Sequence, residues 1–184
     1  MNFRIFGLGG KISALLLLAA AMAFGFTNRA AAQSEEGIKA AYLYNFAKFT
    51  TWPAKTFADV STPITVGFIG ADALADLFEA NVTGKNANGH DLAVKRLTSP
   101  AGAETCQIVF VGDASQAAAV IAALKGKPVL TVGYSDGFAS AGGMVNFIKN
   151  GAKMSFDLDL TGITSARMEL DTKLRGLARN VKGG

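Results

Sequence analysis

Cysteine, histidine and tryptophan occur once each in these 184 residues, and proline four times. A lone Cys106 excludes a disulfide framework within the chain and any cysteine-based zinc site. A lone His90 removes multi-histidine metal centres. Charged residues are scarce, at 17%, against 50% apolar, which is the wrong balance for a disordered chain. The excess of one sign is also small: 18 Lys and Arg against 14 Asp and Glu leave a formal charge of +4. Chemical motifs are missing too. No G-x-G-x-x-G follows an apolar strand, and neither a P-loop nor a G-x-S-x-G elbow is present.

What is there begins with a leader. Arg4 and Lys11 precede an apolar run from Ile12 to Phe26, and Ala30-Ala31-Ala32 supplies a small-residue cleavage site. That layout predicts a secretory signal peptide over residues 1–32, cut after Ala32, and one domain over residues 33–184. The run falls short of the ~20 residues a spanning helix needs, so an uncleaved anchor is the weaker reading. Cleavage removes Arg4, Lys11 and Arg29 and no acid, lowering the charge from +4 to +1. A nucleic-acid partner is therefore not expected, nor is membrane insertion of the mature chain. About 150 residues bury roughly 70% of their unfolded surface, enough for a core without staples.

Periodicity then sets the elements. Ser34 caps a helix that carries Glu35 and Glu36 in its first turn and stops near Trp52-Pro53. Ile38, Ala41, Tyr42, Phe46 and Phe49 share a stripe, and Leu43, Tyr44 and Ala47 widen it. A helix apolar on so much of its girth is sandwiched in a core or half-covered by a partner. Strands are expected at Ile64–Ile69, around Leu92, Val94 and Leu97, at Gln107–Val111 and at Pro128–Val132, with helices at 73–80 and after Asp113. That alternation predicts a mainly parallel α/β sheet with helices on both faces. Asn150-Gly151 between two alternating runs predicts an antiparallel C-terminal hairpin. Helices over Thr161–Ala166 and Asp171–Val181 close the chain.

Catalysis has little to work with. His90 sits among Asn and Gly and reads as a solvated turn residue, and Cys106 heads an apolar strand as a buried, inert thiol. Asp72, Asp113 and Asp136 each follow an expected strand, with Thr131 and Lys149 near strand ends. This loosely resembles a phospho-accepting receiver, but Asp72 and Asp113 are explained as helix caps. No catalytic residue, metal or cofactor is assigned.

Ordered blocks carry a family resemblance. They are Lys39-Ala40-Ala41-Tyr42-Leu43-Tyr44-Asn45-Phe46-Ala47-Lys48-Phe49 with Trp52-Pro53, then Pro128 to Val132, Asp136-Gly137-Phe138, Gly142 to Phe147, Lys153 to Leu160 and Lys173 to Ala178. In these the chain resembles the YfiR family. The resemblance implies a periplasmic α/β protein of Rossmann-like layering, without known catalysis. The best-known relatives hold a membrane-bound diguanylate cyclase inactive through its periplasmic sensor region. Others sit beside sensor kinases or outer-membrane receptors. Two departures stand out: better-studied relatives carry paired cysteines where Cys106 is alone, and Asp157-Leu158-Asp159 stands where the family often has Glu-x-Asn.

The expected function is repression of an inner-membrane signalling protein, a diguanylate cyclase or a sensor kinase, with a homodimer left open. Aromatic anchors commonly dominate such contacts, which makes Tyr42, Tyr44 and Phe138 the partner-binding candidates. The rival is a small-ligand sensor with a pocket at Asp136, Phe138 and Asn146 near the strand ends.

Overall fold

The computed structural model describes residues 35–151 and 153–183; the leader expected over residues 1–32, the Ser34 cap and Ala152 lie outside them. The described chain begins with α1 (Glu35–Phe49), whose two leading glutamates sit at the electropositive helix end. It buries Lys39, Ala40, Leu43, Phe46 and Ala47, a stripe at helical spacing. The expected stripe was rotated from this one: Ala41 is exposed, and Tyr42 and Phe49 are half-buried. Next come β1 (Thr50–Thr51), a 3-10 turn over Ala54–Thr56, and β2 (Ile64–Ile69).

Helix α2 (Asp72–Val82) starts without a side-chain cap, because Ala71 occupies the N-cap and Asp72 lies one position inside. The expectation that Asp72 caps is corrected accordingly. Strands β3 (Asn86–Ala87) and β4 (His90–Leu97) pair antiparallel around Asn88 and Gly89, with φ of 53° and 85°. Two positive φ angles are what a tight hairpin turn of this twist demands, and Asn-Gly tolerates both. His90 therefore opens a strand. It is half-buried with its ring 4.1 Å from that of Phe57, so the solvated-turn reading is corrected.

The remaining elements are β5 (Ile108–Val111), α3 (Ala117–Leu124), β6 (Leu130–Gly133), β7 (Val145–Asn150), β8 (Lys153–Asp159), α4 (Leu160–Ser165), β9 (Glu169–Leu170), α5 (Thr172–Arg175) and β10 (Asn180–Lys182). Asp113 does cap, accepting from Ser115 N at 2.9 Å, and it does so on a 3-10 turn that leads into α3. Among the described residues one eight-stranded sheet runs β10-β8-β7-β6-β5-β2-β4-β3, and β1 pairs separately with β9. The pairs from β4 through β2, β5 and β6 to β7 are parallel, and β7–β8 is the antiparallel hairpin. Asn150 is the last paired residue, opposite Lys153, so Gly151 opens that turn at φ 61°.

The expected closing helix over Asp171–Val181 is two elements instead. Asp171 caps the short α5, after which β10 lies parallel to β8. Arg179 forks onto Asp157, Nε to Oδ1 at 3.0 Å and Nη2 to Oδ2 at 2.7 Å, and Asn180 Nδ2 adds a 3.0 Å bond. These contacts, with Arg179 N donating to Phe156 O, hold the tail extended. Leu177 and Val181, which would share a face with Leu174 in one continuous helix, are exposed.

Period-two alternation divides the sheet's side chains between two cores. Ile64, Val66, Phe68, Ile108, Phe110, Leu130, Val132, Val145 and Phe147 pack under α1 and α2. Ile69, Val109 and Val111 face the other way, towards α3 and Phe138. The fold is α/β, with a mostly parallel sheet and helices on both faces.

Candidate functional site

In parallel sheets, ligand sites collect where strands end, at the point where chain order reverses. Here β2 sends the chain to β4 on one side, and β5 returns on the other. Gly70, Gly112 and Tyr134 directly follow the carboxyl ends of β2, β5 and β6, and α1 begins beside them. Tyr134 belongs to two neighbouring cavities. One, of about 420 Å³, is lined by Glu35, Glu36, Lys39, Asp72, Phe110 and others. The second, of about 360 Å³, holds Ser135, Asp136, Asn146, Phe147, Ile148 and Lys149.

The wall between them is charged. Lys39 is 4% exposed, yet it pairs with Glu35 at 2.8 Å and Glu36 at 3.0 Å, and its ammonium lies 3.7 Å from the Tyr134 ring centroid. Burying an ammonium is costly unless carboxylates and a ring face replace its water. Lys149 reaches the other Glu35 oxygen at 2.8 Å. Hydrogen bonds from Lys149, then Lys39, hold the Glu35 carboxyl at about 2, against 4.5 unperturbed. The same pairing raises Lys149, while burial, then Glu35, raises Tyr134. The cluster ties the start of α1 to β6 and β7.

Of the expected ligand residues, Asp136 and Asn146 do share the 360 Å³ cavity. Asn146 is buried, and its Oδ1 accepts from Ser135 N at 3.4 Å; Asp136 is exposed. Phe138 is not with them. It is 1% exposed and belongs to the core under α3, with its ring against Gly133 and Gly143, where a Cβ at either position would collide with it. The reading of Phe138 as a contact residue is corrected: glycine backbones and Val side chains already cover it. Its neighbour turn, with Gly143 N donating to Phe138 O at 2.9 Å, folds the loop over the ring.

The two tyrosines of α1 point apart. Tyr42 stacks among Phe46, Phe147 and Phe156, with centroids at 6.2, 5.8 and 5.2 Å. Tyr44 lies towards the far sheet edge, where its hydroxyl donates to Asn86 O at 3.2 Å. Both stay half-buried.

The sequence matches the YfiR/HmsC-like family over residues 36–179. The chain belongs to that family. YfiR/HmsC-like proteins are periplasmic and in general regulatory and non-catalytic. No curated protein shows significant sequence similarity to the chain. Among solved structures it is similar to a conserved domain protein from Vibrio cholerae O1 biovar eltor, at 12% identity and a TM-score of 0.49. That match covers 65% of this chain and 55% of the other. It is also similar to an ABC domain in complex with L-Trp from Streptococcus pneumonia, at 8% identity and a TM-score of 0.46 over 64% and 54%. Neither likeness carries an argument about function.

The YfiR/HmsC-like span includes a third cavity, at the amino ends of β2 and β4, which the sequence reading missed. It is about 380 Å³ and lined by Phe49, Trp52, Phe57, His90 and Asp171 among others. His90 Nδ1 lies 2.7 Å from Thr62 O, which fixes it as the protonated nitrogen. Trp52 Nε1 is buried without a hydrogen-bond partner among the described residues. The Trp52-Pro53 pair was visible in the sequence, but only as a helix stop. Among the described residues no cluster of His, Cys, Asp and Glu has the makings of a metal site, and no helix is long and apolar enough to cross a membrane.

Proposed function

We propose that this protein is a periplasmic repressor that binds the periplasmic sensor region of a membrane-bound signalling enzyme, a diguanylate cyclase. The observation that carries the reading is the family match across residues 36–179. The signal-peptide layout of residues 1–32 supports the compartment. Tyr44 and Tyr42 are the contact residues we assign, since each keeps part of an amphipathic ring at the surface. Deleting the gene should raise cyclic di-GMP, and wild-type protein should restore it. Tyr44→Ala should fail to restore it while its urea midpoint stays near wild type. Unchanged cyclic di-GMP on deletion would reject the cyclase.

A second reading, a small-ligand sensor acting with a histidine kinase or outer-membrane receptor, is favoured by the Trp52 cavity and its unpartnered indole N–H. A buried donor left unpaired costs about 1–3 kcal/mol, which an acceptor on a ligand recovers. Saturable thermal stabilisation by a metabolite, with a change in fluorescence of the single Trp, would favour the sensor.

A further inference from the structure

On the sheet face away from α1, a cavity of about 280 Å³ lies between the end of α3 and the start of α4. Ile121, Leu124 and Met144 give it an apolar wall, and Asp159 and Thr131 bring polar groups to it. Two glycines hold the space open. A Cβ on Gly162 would come within 3.2 Å of Met144 Cγ, and Gly142, at φ 98°, would carry one 3.5 Å from Ile121 Cγ2. Mostly apolar concavities with a few convergent polar groups are the usual form of a small-molecule site.

Asp159 supplies the discriminating chemistry. Its Oδ1 accepts from Thr161 N at 2.9 Å and so caps α4. Its Oδ2 has a loose partner: Lys182 Nζ stands 3.6 Å away. The Asp159 side chain is 12% exposed and that of Lys182 78%. An exposed lysine at that distance gains little and leaves easily. The carboxylate, in contrast, is largely withdrawn from water and keeps the capacity for a short, charge-assisted bond. Lys125, also on the rim, is exposed.

We propose that this cavity binds a small primary amine with an apolar body. The ammonium takes Asp159 Oδ2 in place of Lys182, and the body lies against Ile121, Leu124 and Met144. Because Lys182 belongs to β10, occupancy trades one of that edge strand's tethers for a ligand contact, while Arg179 and Asp157 keep theirs.

Calorimetric titration of the purified protein with phenethylamine, 2-phenylethanol and 3-phenylpropanoate tests it, with amide shifts locating the binding. Phenethylamine should bind one per chain, about tenfold or more tighter than the alcohol or the acid, and move the amides of Gly142 and Gly162. Asp159→Asn keeps a good helix cap and should weaken the amine about tenfold, which corresponds to about 1.4 kcal/mol. Lys182→Ala should tighten it by removing the competitor. Equal affinity for the three probes, no saturable binding of any of them, an unaffected Asp159→Asn variant, or shifts centred on Tyr134 or His90 would each overturn the proposal.

Discussion

Replacing Phe138 by Ala separates a core residue from a contact residue. The side chain is 1% exposed and packs with Ile69, Val109, Val111, Val120 and Leu124. Truncating a buried Phe costs about 3–5 kcal/mol, the spread depending on how far the surroundings collapse. Here collapse is restricted, because Gly133 and Gly143 face the ring with backbone alone and hold no side chain to move into the gap. The upper half of the range is therefore expected. For a domain of this size 1 kcal/mol shifts Tm by roughly 2–4 °C, so the loss should be roughly 8–20 °C. Urea unfolding followed by Trp52 fluorescence should show a lower midpoint at unchanged slope, the signature of lost stability without a changed mechanism. An unfolding free energy within about 0.5 kcal/mol of wild type would refute the reasoning, since surface substitutions fall in that range. Loss of partner control in such a variant would then restore Phe138 as a contact residue.

Glu35→Gln should cost about 1 kcal/mol at neutral pH, most of the gross electrostatic gain being screened at a partly exposed site. Since the folded carboxyl is held near 2, below its unfolded 4.5, that stability is present above pH 4.5 and lost as pH falls towards 2. The wild-type and Gln curves should therefore converge at acid pH, and parallel curves would remove Glu35 from the tether. Arg179→Ala should speed amide hydrogen exchange across residues 180–182 with little change in global stability, because its fork to Asp157 holds an edge strand. Gly67→Ala should destabilise by about 1–3 kcal/mol through overpacking, since its Cβ would stand 2.9 Å from Cys106 Sγ and 3.0 Å from Leu97 Cδ1. Adding Cys106→Ala should recover part of that loss, and strict additivity would show that the two sites do not touch. The Cys106 thiol, raised by burial, should alkylate slowly in the native protein at pH 8.

The candidate site was half legible. Asp136 and Asn146 were placed at strand ends by the α/β rhythm, and they do line one cavity. The charged wall beside them announced itself only as Glu35 and Lys39 at i, i+4, a spacing that surface helices use everywhere. Nothing local said that Lys39 would be buried or that Tyr134 would lie over it. Likewise the Asn-Gly signal was weighed at 150–151, where the strand pairing runs through Asn150. At Asn88-Gly89, with fewer apolar flanks, both residues take the positive φ that the dipeptide permits.

By itself the sequence determined what depends on neighbours a few residues away. Continuous apolar runs made Ile64–Ile69 and Ile108–Val111 strands, Asp113 a cap, and β7–β8 a hairpin, since period and capping are local physics. The tertiary structure decided the rest. Leu174 and Val181 share a helical face on paper, yet Asp157 draws Arg179 and Asn180 into an edge strand, and one end of the pattern is left in water. Phe138 reads as a loop aromatic free to meet a partner until two glycines, ten residues apart in sequence, close over its ring. An apolar residue reports that it prefers to leave water, and only the assembled fold settles which surface takes it in.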